Sequence, residues 1–244
     1  MVTWENTFQE IADAKPEIAI LPVGSIEQHS FHLPVGTDFL VAQAMGRRVA
    51  ELIGDCYLLP ALPFSCSREH CDFAGTVWLE PATLAAIVED LVGAIHFHGI
   101  NKMALVVAHG GNWIIKPTIR ELNLDRTGMK VITTSPDSGT VEQGQFAELH
   151  AGGHETSLML ALCPELVKLD LVAPDFAPAE GREFLDYTGV AGVSPTGLWG
   201  APSQGSAEAG ERMLDEAAKR AAAYIRKTFA DFDRLEEARE GGAS

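Results

Sequence analysis

The stretch Ile18-Ala-Ile-Leu-Pro-Val-Gly-Ser-Ile-Glu-Gln-His-Ser-Phe-His-Leu-Pro-Val-Gly-Thr-Asp38 passes from an apolar run into a cluster of metal-ligand side chains. Residues 18–23 read as a buried strand, because the run is short, partly β-branched and stopped by Gly24. Glu27, His29, His32 and Asp38 follow within residues 24–38, and all are hard or borderline metal ligands. Glu27 and His29 are two apart, so extended backbone sends both side chains to one face. Pro34 and Gly36 turn the chain and can bring Asp38 back beside them. A lone His or carboxylate is most often structural. Four such groups at a strand end, interleaved with Leu, Pro and Gly, point instead to a metal or catalytic site.

Working outward, strand and helix patterns alternate. Residues 1–16 hold a short helix (Phe8, Ile11, Ala12) that feeds the first strand. Over 39–53, Leu40, Val41, Ala44, Met45, Val49 and Leu52 recur at helical spacing, and Gly54 supplies a stop. A strand follows over 56–60. Residues 83–98 form the clearest helix, with Leu84, Ile87, Val88, Leu91, Val92 and Ile95 in one stripe, Thr83 as N-cap and Gly99 as stop. His96 and His98 point different ways in its last turn and read as structural. Residues 103–108 are nearly continuous in apolar side chains, as in strands buried within parallel sheets. That run leads directly into His109-Gly-Gly-Asn112 and then a helix over 113–124, regular from Pro117. His109 therefore falls at the carboxyl end of a strand, where open α/β sheets bind ligands.

A further strand covers 131–134, and a polar loop covers 135–149. His150-Ala-Gly-Gly-His-Glu155 then opens an apolar helix (Leu158, Met159, Leu162) that ends before Pro164. Glu155 alone could be a first-turn acid complementing the helix dipole, but His150 and His154 beside it favour a site. Residues 172–205 are rich in breakers and predict irregular structure. A last amphipathic helix spans about 207–229, and 231–244 reads as a frayed, charged tail. The loop 64–76, which carries Glu69 and His70, stays open between a polar surface and a site lining. Altogether the pattern predicts an α/β fold: a mostly parallel sheet with helices on both faces, in one domain over 1–244.

The formal charge is −16, from 34 acidic and 18 basic residues, and argues against a nucleic-acid or anionic-membrane surface. No stretch is apolar enough to span a membrane. Cys56, Cys66, Cys71 and Cys163 form no CxxC pair, so they read as reduced thiols of a cytoplasmic protein. Glu27, His29 and Asp38, then His109, then His150, His154 and Glu155 offer carboxylates and imidazoles without a thiolate. Oxygen and imidazole donors favour Zn, Mn or Fe, and a carboxylate between two ions is the usual way to build a dinuclear centre.

Glu27-Gln-His-Ser-Phe-His-Leu-Pro-Val-Gly-Thr-Asp38 resembles the signature of the creatininase (creatinine amidohydrolase) family. His109-Gly-Gly-Asn112 and His150-Ala-Gly-Gly-His-Glu-Thr-Ser157 are similar to its second and third motifs, in the same order. Glu69-His70 before Phe73-Ala-Gly-Thr76, and Ser206-Ala-Glu208, resemble weaker landmarks. The resemblance implies a single three-layer α/β/α domain, two divalent metal ions (Zn foremost, with Mn or Fe as alternatives) and commonly a homohexamer. It implies hydrolysis of a non-peptide or cyclic C–N bond in a small-molecule substrate, by metal-activated water. Carried over by position, Glu27, His29, Asp38 and His109 are ligands, with Asp38 bridging, and His150 carries the proton.

Creatininase itself has Tyr and a ligating Glu where this chain has Gly110 and Gly111. Glu155 is the first candidate to replace that carboxylate, as ligand and catalytic residue, with His154 or Glu69 behind it. These departures point away from creatinine itself. Other family branches deformylate a pyrimidine nucleotide precursor, open a ring in keto-inositol breakdown, or cleave a peptide in cofactor maturation. The competing class is a non-catalytic, metal-stabilised scaffold of the same fold.

Overall fold

In a computed structural model of the chain, the structure describes residues 1–125, 128–135 and 148–241. Five parallel strands form one sheet in the order β1-β3-β2-β4-β5. They are β1 (Val2–Thr3), β2 (Ile18–Val23), β3 (Cys56–Leu58), β4 (Lys102–Val107) and β5 (Lys130–Thr134). The central pair is in register from Ile18 opposite Lys102 to Val23 opposite Val107. β2 and β4 are apolar along their length because both of their faces are covered.

Side chains alternate across the sheet. Ala19, Leu21, Val23, Met103, Leu105 and Val131 face one layer, formed by α3 (Pro81–Phe97) and α4 (Ile115–Leu124). Ile20, Leu58, Ala104, Val106 and Ile132 face the other. That second layer comprises α2 (Thr37–Ile53), α5 (Gly153–Leu162) and α7 (Ala207–Gly241); α1 (Phe8–Ala14) and the short α6 (Leu185–Thr188) lie outside the two cores. Burying each Leu or Ile contributes roughly 1.5–3 kcal/mol, so these two clusters are what hold the three layers together. All four cysteines are free thiols.

Several boundaries differ from the sequence reading. β1 was not anticipated: Val2 and Thr3 are too few to show a period, and only pairing with Tyr57 and Leu58 makes them a strand. α3 begins at Pro81, with Glu80 in the N-cap position instead of Thr83, because proline fits the first helical turn. α4 starts at Ile115, two residues ahead of Pro117. The tail expected to fray from 231 is helical to Gly241. Its charge is what anchors it: Asp233 pairs with Lys102 at 2.9 Å and Lys130 at 2.6 Å, and Glu236 pairs with Lys130 at 2.6 Å. The loop expected over 135–149 falls mostly outside the described residues. Segment 172–205 is irregular as expected, with short 3-10 turns and α6. No helix among the described residues is long and apolar enough to cross a membrane.

The carboxyl ends of β2 and β4 lie side by side, with the Ala108 N–H donating to the Val23 carbonyl at 2.9 Å. At Gly24 a Cβ would sit 2.5 Å from the Phe39 Cα and 2.7 Å from the Asp38 carbonyl oxygen. Only glycine allows the strand end and the start of α2 to approach so closely, and that approach delivers Asp38 to the sheet edge.

Candidate metal centre

The side chains of the cluster arrive from several separate chain breaks at this end of the sheet. Glu27 and His29 leave the loop after β2. Asp38 occupies the first turn of α2, His109 follows β4, and Glu155 lies in the first turn of α5. His150 is held by a bridge to Trp199. Glu27, His29 and Asp38 are almost completely buried.

Asp38 stands between the two halves. Its Oδ1 is 3.2 Å from His29 Nε2, and its Oδ2 is 3.1 Å from His109 Nδ1. Glu27 Oε2 is 3.0 Å from the same His109 nitrogen, and Glu155 Oε2 is 3.6 Å from His29 Nε2. Glu27, Asp38 and His109 therefore close one potential ligand set. His29, His150 and Glu155 cluster as a second, with Asp38 Oδ1 beside it at His29 Nε2.

The outer nitrogens are committed. His29 Nδ1 lies 3.1 Å from the Glu27 carbonyl oxygen, and His109 Nε2 lies 2.7 Å from that of Cys66. A carbonyl only accepts, so both outer nitrogens carry hydrogen and the inner ones are those that would turn lone pairs to an ion once deprotonated. Among the described residues, Glu27 Oε2, His29 Nε2 and Asp38 Oδ2 are buried without a hydrogen-bond partner. Buried polar atoms left this way are costly. Two donors each ~2.1 Å from one ion are about 3.0–3.4 Å apart, which is the spacing found between most of these atoms. The donors present fit divalent cations.

The electrostatics agree. Burial opposes charge on His29 and His109, yet Asp38 with Glu155, and Glu27 with Asp38, outweigh it and hold both pKa values well above the ordinary imidazole value. Burial likewise disfavours the Asp38 and Glu155 carboxylates, but His29 beside both brings them below the usual range. Burial, aided by Asp38 and opposed by His109, pushes Glu27 up to about 7. The side chains thus build a field that calls for positive charge at two adjacent points. His150 goes the other way: burial and the neighbouring His29 lower it to about 4.

Glu27, His29, Asp38, His109, His150 and Glu155 all converge as the motifs suggest. His32 does not join them, bonding Thr156 Oγ1 at 2.9 Å through Nε2. His154 lines the same cavity. Glu69 approaches His109 from outside, 3.4 Å from Nε2. It also explains Gly111, where a Cβ would meet Glu69 Oε1 at 1.9 Å. Among the described residues, Glu155 adds the further carboxylate beside His29, although it also accepts the Ala151 N–H at 2.5 Å.

Two more members complete the cluster: His70, which the sequence left open between a surface and a lining role, and Gln28, which it did not single out. His70 is buried, 3.3 Å from Glu27 Oε1 through Nε2. Gln28 alternates away from Glu27 and His29 along the chain, yet its carboxamide lies 2.8 Å from His70 and 3.0 Å from His150. The available signals were the proximity of His70 to Glu69 and the absence of periodicity in that loop.

Clustered carboxylates and imidazoles at the floor of an open cavity are the equipment of hydrolases that activate water on metal ions. The family described as "Creatininase: Creatinine amidohydrolase" matches residues 2–225. A mycofactocin precursor peptide peptidase of Mycobacterium ulcerans (strain Agy99) is 33% identical over 86% of this chain and 85% of its own. The creatinine amidohydrolase of Pseudomonas putida is 31% identical, over 93% of this chain and 95% of its own. Among solved structures, "Creatininase Mn" superposes with a TM-score of 0.81 at 28% identity, covering 93% of this chain and 98% of that one. A Zn-Zn type structure of a creatininase glutamate-to-glutamine variant gives 0.79 at 30% identity, with the same coverage. The chain belongs to the creatininase family, whose members are metal-dependent amidohydrolases. At 31% identity to the P. putida enzyme it is a relative of creatininase and not that enzyme itself.

Proposed function

We propose that this protein hydrolyses a C–N bond (an amide, cyclic amide or formamide) in a small molecule at a centre of two divalent ions. Zn is the first choice and Mn or Fe the alternatives. The observation that carries the reading is Asp38, whose two oxygens face two different imidazoles at 3.2 and 3.1 Å. One ion would be held by Glu27, Asp38 and His109, the other by His29, Asp38 and Glu155.

Ions bound there supply Lewis acidity at the substrate carbonyl and a water deprotonated near neutral pH. The chain's own part is positioning and proton handling. His150 is neutral at pH 7 because burial and His29 lower it to about 4. Its Nε2 lies 2.7 Å from the Gln28 carbonyl oxygen, so it carries hydrogen there and leaves Nδ1 free as an acceptor. Nδ1 is 3.9 Å from Glu27 Oε1, and His150 also clusters with His29 and Glu155, so the proposal assigns it as a base beside the ligand set. In this reading His150 takes a proton at Nδ1 and returns it to the departing nitrogen. Glu155 holds His29 and can accept a proton from water on that side. Arg182 offers an acidic group on the substrate a partner, since its Nη2 lies 3.4 Å from where a Cβ of Gly110 would be. Arg68, by contrast, is paired with Glu80.

A second reading, a peptidase, is favoured by the open cavity, whose lining includes the exposed aromatics Trp113 and Tyr187. The proposal extends to a cytoplasmic homohexamer in which 1–244 is one domain, with sedimentation as its check. The deciding experiment pairs elemental analysis with ammonia, amine and formate release from cyclic amides, formamides and short acidic peptides. Two ions and turnover support the proposal, peptide cleavage alone supports the second reading, and bound ions without turnover support a scaffold.

A further inference from the structure

Gln28 sits at the centre of a hydrogen-bond network that the ligand set does not use. It is buried, and both ends of its carboxamide are fixed from outside. The Ser30 backbone N–H donates to Gln28 Oε1 at 2.8 Å, and the Gly197 carbonyl oxygen lies 3.4 Å from Gln28 Nε2. A backbone N–H only donates and a carbonyl only accepts. Exchanging the oxygen and nitrogen would therefore set donor against donor at Ser30 and acceptor against acceptor at Gly197. Ser30 has a φ of 56°, the left-handed conformation that non-glycine residues seldom adopt. That turn is what aims its N–H back at the carboxamide.

With the amide assigned, the protons on two histidines follow. Gln28 Nε2 lies 2.8 Å from His70 Nδ1 and can only donate, so that ring nitrogen is an acceptor. The His70 proton is then on Nε2, which faces Glu27 Oε1 at 3.3 Å. His150 Nε2 lies 2.7 Å from the Gln28 carbonyl oxygen and so carries hydrogen. The 3.0 Å approach of the carboxamide nitrogen to His150 Nε2 is then a contact between two donors, and the second amide hydrogen turns to Gly197.

We propose that Gln28 is a positioning residue that locks His70 as an Nε2–H donor toward Glu27 and His150 as an Nδ1 acceptor. The two rings, 4.6 Å apart between centroids, face the same carboxylate oxygen with opposite polarity. Held this way, His70 cannot ligate an ion through Nε2, so Glu27, His70 and His150 do not form a third metal site although their donor atoms cluster. Its N–H instead orients Glu27 so that Oε2 faces His109, a role outer-shell hydrogen bonds commonly play for ligating carboxylates. The inference rests on the proposed dinuclear reading only for what Glu27 does. The positions of the protons stand apart from it.

The test is long-range ¹H–¹⁵N correlation of the histidine rings in the full-length zinc-loaded protein, assigned with single His variants. The parent is expected to show His70 and His150 both protonated at Nε2. Gln28→Glu keeps the shape and the acceptor for Ser30 but replaces the donor facing His70 with an acceptor, so the His70 proton is expected to move to Nδ1. Gln28→Leu removes the donor without replacing it, so His70 stays protonated at Nε2 through Glu27 while its Nδ1 resonance is expected to move to that of an acceptor with no hydrogen bond; it serves if the glutamate variant does not fold. His70 protonated at Nδ1 in the parent, or an unchanged His70 in either folded variant, would overturn the proposal. Zinc content is read on the same samples. A parent that binds no zinc yet shows the expected tautomers counts against the metal reading and leaves the Gln28 assignment standing.

Discussion

Replacing Asp38 by Asn removes one charge while keeping the shape of the side chain and its place in the first turn of α2. The fold loses the dipole contribution of a first-turn acid, about 0.3–1 kcal/mol. His29 and His109 lose a charge that raises their pKa values, so they relax toward neutral rings and no buried cation is stranded. The metals have no such escape. Two dications ~3.5 Å apart repel by roughly 19 kcal/mol at an effective dielectric constant of about 20. A carboxylate shared between them offsets a repulsion of that size. Asp38 is placed to share, with one oxygen 3.2 Å from His29 Nε2 and the other 3.1 Å from His109 Nδ1. Hydration of released ions returns most of the difference. Because changes outside the ligand set alone cost 10–100-fold in affinity, loss of a bridging ligand is expected to weaken both sites by more than ~100-fold. Competition titration against a chromophoric chelator reads each site separately. One site binding at the parent's affinity in Asp38→Asn would refute the shared carboxylate.

Glu155→Gln is expected to weaken the ion beside His29 selectively, leaving the Glu27, Asp38 and His109 site near its parent affinity; two unchanged sites would make Glu155 a structural residue. His150→Ala is expected to retain both metals while kcat falls by about 10²–10⁴ on whichever substrate turns over, and a matching loss of bound metal would make His150 a ligand instead. The pH dependence of the chelated protein has a definite sign. Above the unfolded histidine value of about 6.5, the unfolded chain has shed its histidine and carboxyl protons, whereas folded His29 and His109 keep theirs and Glu27, at about 7, keeps part of its own. Stability is therefore lost as pH rises through the folded values, by about 1.4 kcal/mol per pH unit for each proton retained. Thermal melts of chelated protein are expected to fall in Tm from pH 6.5 to 8, and a rising Tm would contradict the arrangement of charges.

The motif after β2 was legible because it carries physics at short range. Extended backbone puts Glu27 and His29 on one face, and a turn at Pro34 and Gly36 returns Asp38. The apolar runs of β2 and β4 likewise announced a sheet covered on both faces. What escaped depended on partners remote in sequence. Nothing near His70 says that it will be buried against Glu27, since that contact follows from how the 64–76 loop folds over the sheet edge. Gln28 lies between Glu27 and His29, so extended backbone alone would aim it away from them, and the left-handed turn at Ser30 that supplies its partner N–H leaves no local pattern. Residues beyond 229 read as charged tail, because their ion pairs with Lys102 and Lys130 lie a hundred or so residues away. Glycine at 111 signalled a missing ligand, and the structure adds that Glu69 occupies the adjoining space.

Anomalous diffraction from crystals grown with zinc tests the central claim most directly. Two peaks about 3.5 Å apart are predicted, one among Glu27, Asp38 and His109 and the other among His29, Asp38 and Glu155. A single peak, or a second ion held by Glu27, His70 and His150, would contradict it.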